Sequence, residues 1–226
     1  ARRRQPLEEL AASLQCRTQV IVADLATQDG IQAVRDESHD ADLLINNAGF
    51  GSFGPFADTD SQAETDMVYV NCIAPMQLAT TLLPRFIEAN HGCIVNISSG
   101  MAFTPMPFMS TYAATKAFLL RWAEGIAGEL NNTEVKVVTI CPGTFDSGFA
   151  GASGVPVDDI LGSGLVTCSL DSVVDATITA IRTGRIVVIP GFCNRLASLT
   201  NVLAPRRMLR WVLAWVMRRS YRKLSG

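Results

Sequence analysis

Histidine is nearly missing from this chain: His39 and His91 are the only two in 226 residues. The six cysteines, at 16, 72, 93, 141, 168 and 193, form no C-x-x-C and no metal-ligand spacing, so a zinc site is not expected. A Ser-His hydrolase is excluded in the same way, because there is no G-x-S-x-G elbow and neither histidine sits in a promising context. No apolar run reaches the length of about 18 residues that a membrane-crossing helix needs, and no signal peptide is visible. Strong net charge is also lacking. A formal charge of −2 gives no reason to expect a nucleic-acid partner. Scattered cysteines in apolar runs such as "GCIVNI" and "VVTICPG" read as small buried hydrophobes in a reducing compartment, which predicts a cytoplasmic location.

A chain that is 48% hydrophobic and 18% charged has the material for one globular domain with a substantial core. Strand-like and helix-like stretches alternate along it. A helix begins near Pro6, with Leu7, Leu10, Ala11 and Leu14 on one face. "TQVIVAD" (18–24) reads as a strand, "IQAVRDE" (31–37) as a short helix and "DLLIN" (42–46) as a strand. A long helix over about 61–90 follows, with a break near Pro84, and then a strand, "CIVNISS" (93–99). A helix over 110–130 leads to the strand "VKVVTIC" (135–141). Residues 146–170 read as a mobile loop. They are followed by a helix over 171–184 ended by Gly184, the strand "RIVVIP" (185–190) and two closing helices. Short apolar strands between amphipathic helices predict an α/β fold, a parallel sheet covered on both faces.

"NAGFGSFG" contains Gly49, Gly51 and Gly54 in the spacing G-x-G-x-x-G. That pattern signals a dinucleotide pyrophosphate only where it opens a helix, whose first N–H groups then face the phosphates. Here Pro55 follows at once and helical periodicity begins only near Ser61, so the match is a decoy.

More informative is "YAATK". Tyr112 and Lys116 are i,i+4 on one helix and share a face. An ammonium beside a phenol favours the phenolate, which predicts a lowered tyrosine pKa and a general acid or base. Ser99 ends a strand 13 residues earlier, a spacing that favours it over Ser98. Asn71 lies on the preceding long helix, "NNAG" (46–49) ends the strand before that, and "CPG" (141–143) ends the strand after the tyrosine helix. These are the carboxyl ends of successive strands or adjoining helices, where open parallel sheets place ligands. Asn46 reads as a structural tie between strands.

With "DL" at 24–25, "NNAG", Asn71, "IVNISS" at 94–99, "YxxxK" and "PG" at 142–143 in order, the whole chain resembles the short-chain dehydrogenase/reductase family, classical type. The resemblance implies a Rossmann-like doubly wound parallel sheet. It implies an NAD(P)-dependent oxidoreductase that interconverts a carbonyl and a secondary alcohol. It gives Tyr112 the proton transfer and Ser99 the hold on the carbonyl oxygen. Lys116 would tune the tyrosine and bind the nicotinamide ribose, and Asn71 would bend its helix and hold a water in a proton relay. Asp24 and Leu25 would approach the adenine, Asn47, Ala48 and Gly49 would line the cofactor, and Pro142 and Gly143 would meet the nicotinamide, with Ser147 offering a hydroxyl to its carboxamide.

The family's phosphate loop, TGxxxGxG between the first strand and first helix, is not in this sequence, which opens "ARRRQPLEELAASL". The expectation is that this chain lacks an initial βαβ segment, that the first two strands of the sheet are largely missing from it, and that "DLLIN" presents an exposed apolar edge. If the chain were complete, the alternative would be a catalytically silent binding or scaffold protein of the same fold. The place where an NAD-specific member carries an acid falls on Ala1, which is followed by Arg2, Arg3 and Arg4. A guanidinium there suits a 2′-phosphate, so NADP is preferred over NAD.

Phe103, Met106, Phe108, Met109, Phe145 and Phe149 surround the catalytic helix. They either line a pocket for an apolar substrate, 3-ketoacyl or steroid-like, or serve as core and dimer contacts. A homodimer or homotetramer is the expected assembly. The tail over 205–223 has basic ends, an apolar centre and two tryptophans. Three roles stay open for it: a helix on an anionic membrane surface, a cover over the substrate site, or an oligomer contact.

Overall fold

A computed structural model describes residues 1–143 and 168–225. Four β-branched runs form parallel strands that lie side by side in chain order: β1 (Leu43–Asn46), β2 (Cys93–Ile97), β3 (Lys136–Ile140) and β4 (Val187–Val188). Leu43 stands opposite Cys93, Cys93 opposite Lys136, and Ile140 opposite Val188. Parallel neighbours need a crossover, and helices supply each one.

Alternation along the strands assigns the two faces. Ile94 and Val137 point to one side, where Ala79, Leu82 and Phe86 of α4 (Ala74–Glu88) meet Ala123 and Ala127 of α5 (Ser110–Glu129). Cys93, Val95, Val138 and Ile140 point to the other, covered by Val173 and Ala180 of α6 (Leu170–Thr183). The sheet is therefore wound on both faces, as the alternation of the sequence predicts. Gly184 caps α6 in the left-handed conformation, with φ of 69°. The chain closes with α7 (Phe192–Leu203) and α8 (Arg206–Ser225).

Three expectations need correction. Residues 18–24 form no strand: they join no ladder. A β-branched run becomes a strand only where a neighbour offers a row of N–H and C=O groups. Here the segment faces β1 across a cleft of about 380 Å³ instead of pairing with it. The helix α1 (Arg4–Ser13) lines the same cleft with Leu7, Leu10 and Ala11, and Leu14 follows at its C-cap; none of the four is fully buried. β1 is accordingly an edge, and its Leu43 and Ile45 are exposed. Second, the long helix does not break at Pro84. It runs as α3 (Ser61–Val68), a π turn (Tyr69–Ile73) and then α4 without a break through the proline. The irregularity falls at Asn71, where one extra residue widens the turn. Third, the expected loop at 146–170 lies almost wholly outside the described residues. Leu170 opens α6.

The decoy glycines also have a place. The next element is a short 3-10 turn (Phe56–Asp58), and α3 starts at Ser61 with the Asp60 carboxylate accepting from the Gln62 N–H. Gly54 donates its N–H to Phe108 O at 2.9 Å.

Candidate active site

The candidate site forms where β2 and β3 end and α5 begins. Tyr112 occupies the first turn of α5 and Lys116 the next, both buried. The Lys116 Nζ donates to Ile97 O at 2.9 Å, at the last residue of β2, and lies 5.7 Å from the centre of the Tyr112 ring. Ser99 caps a 3-10 turn (Gly100–Phe103), its Oγ accepting from the Met101 N–H at 3.1 Å. Ser98 is turned the other way and donates to Lys116 O at 2.8 Å, which fixes the start of α5 to β2.

The expectation of a lowered tyrosine pKa does not hold in this arrangement. Burial pushes the Tyr112 phenol up to about 12, and a hydrogen bond with Ser99 opposes that only in part. Burial also pushes Lys116 down to about 8, against the opposing influence of the Cys72 and Cys141 thiols. Both groups are thus driven toward their neutral forms, because each loses more in desolvation than its neighbours return.

Asn71 is fully buried inside the π turn and fastens three elements together. Its Nδ2 donates to Phe50 O and to Thr115 Oγ1, both at 3.0 Å, and its Oδ1 accepts from the Phe50 N–H at 3.2 Å. Gly49 closes the group. A Cβ there would stand 3.0 Å from Asn71 Oδ1 and 3.1 Å from Lys116 Nζ, so only glycine leaves that gap open. The structure therefore brings Asn71, Ser99, Tyr112, Lys116 and Gly49 together. Pro142 adjoins them, its carbonyl accepting from the Gly100 N–H at 2.8 Å, with Gly143 next in the chain.

The other expected cofactor residues lie along the cleft. Leu25, Asn47 and Ala48 line it, together with Ala1. At its far end Ala23 donates to Ala1 O, and the exposed Arg2 guanidinium lies 3.9 Å from Asp24. Ser147, Phe145 and Phe149 fall outside the described residues. Met106 and Met109 are buried in a cluster with Tyr112, Met67 and Met217, so these two are packing residues, and Phe108 packs at the margin of that cluster. Phe108 also holds a left-handed backbone, φ 66°, which a bulky aromatic residue adopts only when its surroundings force it.

Sequence reasoning missed two contributors. Thr115, within "YAATK", accepts from Asn71 and itself donates to Tyr112 O at 2.7 Å. Gly30 packs so tightly that a Cβ would fall 1.9 Å from Asp24 O, which makes it a support of the Asp24 turn. The only signal for Gly30 was a glycine in the first turn of a helix, α2 (Gln28–Asp36), where glycine is otherwise a poor choice.

Among the described residues no group of three or more His, Cys, Asp or Glu could hold a metal, and no helix is long and apolar enough to cross a membrane. Comparison with known proteins agrees with the geometry. A family model described as short chain dehydrogenase matches residues 1–154. The ketoacyl reductase HetN of Nostoc is 33% identical over 178 residues, which cover 76% of this chain and 59% of HetN. A very-long-chain 3-oxoacyl-CoA reductase of Phaeosphaeria nodorum is 36% identical over 100 residues, 43% of this chain and 29% of that protein. The chain thus spans less than two thirds of the length of these curated relatives. Among solved structures, a short-chain dehydrogenase from Sphingobium yanoikuyae in complex with NADPH superposes with a TM-score of 0.79 at 29% identity, covering 90% of this chain and 82% of that one. A bulky-bulky ketone specific alcohol dehydrogenase from Comamonas testosteroni gives 0.70 at 27% identity, covering 87% and 76%. The chain belongs to the short-chain dehydrogenase family.

Proposed function

We propose that this chain carries the catalytic centre of an NADP-preferring oxidoreductase that interconverts a carbonyl and a secondary alcohol on an apolar substrate. The observation that carries the reading is the convergence of Tyr112, Ser99, Lys116 and Asn71 around the opening that Gly49 leaves. Two features favour a dinucleotide there. The gap at Gly49 is a cradle that any side chain would fill, and Lys116 spends one of its three protons on Ile97 O, leaving two for ribose hydroxyls. The cleft continues past Asn47, Ala48 and Leu25 toward Ala1. Next to Ala1, Arg2 would meet a 2′-phosphate and Asp24 the adenosine side, and Pro142, Gly143 and Ser147 would meet the nicotinamide.

When bound, the dinucleotide supplies the hydride. Tyr112 delivers its phenolic proton to the substrate oxygen in reduction and removes it in oxidation. A phenol kept protonated by burial suits the first direction. Ser99 donates to the same oxygen and fixes its distance from Tyr112. Lys116, held by Ile97 O, keeps a positive or readily protonated group beside the phenol, and Asn71 would hold a water that links Lys116 to solvent as a proton relay. An apolar substrate is supported by the ketoacyl reductases among the relatives. A homodimer or homotetramer is the assembly we expect.

Tyr112→Phe removes one oxygen and tests the assignment directly. With NADPH and a panel of 3-ketoacyl and bulky ketones, turnover should fall by at least about a thousandfold while cofactor affinity, read by fluorescence titration, stays within about twofold. Retained turnover refutes the role of Tyr112.

A further inference from the structure

The C-terminal helix α8 has two unlike faces, and the catalytic reading uses only one. Its inner face closes over the site. Met217, 1% exposed, packs in the cluster that contains Tyr112, with Leu213 against its edge. The Tyr221 ring lies 5.4 Å from Phe108 and 6.1 Å from Phe53. Its outer face carries Met208, Trp211, Val212 and Trp215 at i, i+3, i+4 and i+7, one stripe, all exposed, the two tryptophans by 72% and 59%. Arg218, Arg219, Arg222 and Lys223 continue that stripe and line a shallow depression with Trp215.

Residues 205–226 hold seven arginines and lysines and no acid. Arg218, Arg219 and Arg222 have no carboxylate partner among the described residues. A helix built for water balances its charges along its own surface, and this one cannot. A second copy of the chain is a poor occupant, since a two-fold contact on this face would set cations against cations. An anionic bilayer answers both halves of the stripe: headgroup phosphates meet the guanidinium groups, and indole rings settle at the boundary between headgroups and acyl chains.

We propose that α8 is an in-plane membrane anchor whose outer face docks on an anionic lipid surface while its inner face roofs the candidate active site. The roof residues Met217 and Tyr221 then stand between lipid and Tyr112, so an apolar substrate can reach the site from the lipid phase. That last consequence rests on the carbonyl-reductase reading, whereas docking does not.

The test uses the full chain with vesicles of phosphatidylcholine alone or of phosphatidylcholine and phosphatidylglycerol in equal amounts. Sedimentation should show at least about tenfold stronger partition onto the anionic vesicles, weakened by salt. Trp211→Ser with Trp215→Ser, and separately Arg218→Gln, Arg219→Gln and Arg222→Gln together, should each lower that partition by about tenfold. Turnover of a water-soluble ketone should stay unchanged in both. For the unaltered chain, brominated lipid should quench tryptophan emission. Equal partition onto both vesicle types, no binding, absence of quenching, or variants that bind like the parent would each overturn the proposal. So would light scattering in which the parent is a dimer and the tryptophan variant a monomer, because the stripe would then be a self-association face. Loss of turnover with intact vesicle binding would instead strike the catalytic reading alone.

Discussion

Residues 18–24 and 93–97 are both short β-branched runs, "TQVIVAD" and "CIVNI", yet they end in different states. The second is the centre of the sheet, with four of its five residues buried and a ladder on each side. The first has no ladder, and most of its side chains are partly or fully exposed. Composition is nearly the same, so the difference comes from neighbours. A strand is a relation between segments, and its apolar side chains contribute stability only when helices close over both faces. The same contrast separates α1, which buries no residue completely, from α4, which buries six.

The sharpest way to break the comparison is to cut one large apolar side chain back to alanine in each region. Phe86→Ala removes a fully buried ring between β2 and α5 and should cost about 3–5 kcal/mol, read by urea unfolding. Leu10→Ala, on α1, should cost less than about 0.5 kcal/mol in the same measurement. A large loss at Leu10 would mean that the N-terminal region is as cooperative as the core.

Site residues inside the core should follow a different rule, because function there opposes stability. Lys116 is buried with a pKa pushed down to about 8, so folding favours its neutral form. Its contribution is therefore most favourable above its unfolded value near 10.5 and is lost as pH falls toward 8. Lys116→Met should raise stability at pH 7 by about 1–2 kcal/mol, flatten the rise in stability between about pH 8 and 10.5, and abolish turnover. Thermal unfolding across that window measures all but the last. Arg2→Ala is the smallest perturbation. The exposed pair with Asp24 should contribute less than about 0.5 kcal/mol, while the preference for NADPH over NADH, read as a ratio of kcat/KM, should drop about tenfold or more.

Legibility in the sequence followed this division between core and margin. β2, β3 and α5 could be read directly because apolar runs and helical periodicity report burial, and Tyr112, Lys116, Ser99 and Asn71 are tied to those elements at fixed spacing. The π turn at Tyr69–Ile73 was legible only through the family resemblance, which has Asn71 bend its helix. A single widened turn leaves no periodic trace over five residues, and Pro84 was the more conspicuous candidate for a break. Nor could the direction of the Tyr112 pKa be read from an i,i+4 lysine, since spacing gives proximity and says nothing about how much water each group loses. Gly30 was hidden for a related reason: its contact is with the backbone of Asp24, which no side-chain pattern encodes.

One feature beneath the site has a bearing on how the chain reaches this structure at all. Asn46, Asn96 and Thr139 stand opposite one another on β1, β2 and β3, on the face that α4 and α5 cover, and all three are buried. Asn46 donates to Asn96 Oδ1 at 2.9 Å. Parallel strands made only of valine and isoleucine would pair almost as well two residues out of step, with every side chain still on its proper face. The Asn46–Asn96 bond restricts that freedom between β1 and β2, because sliding β2 by two residues would leave a carboxamide among aliphatic side chains without its partner, whereas Thr139 Oγ1 has no hydrogen-bond partner among the described residues. The pair acts as a registration key. It favours one alignment of β1 against β2, the one in which their ends bring Gly49 and Ser99 to the same place.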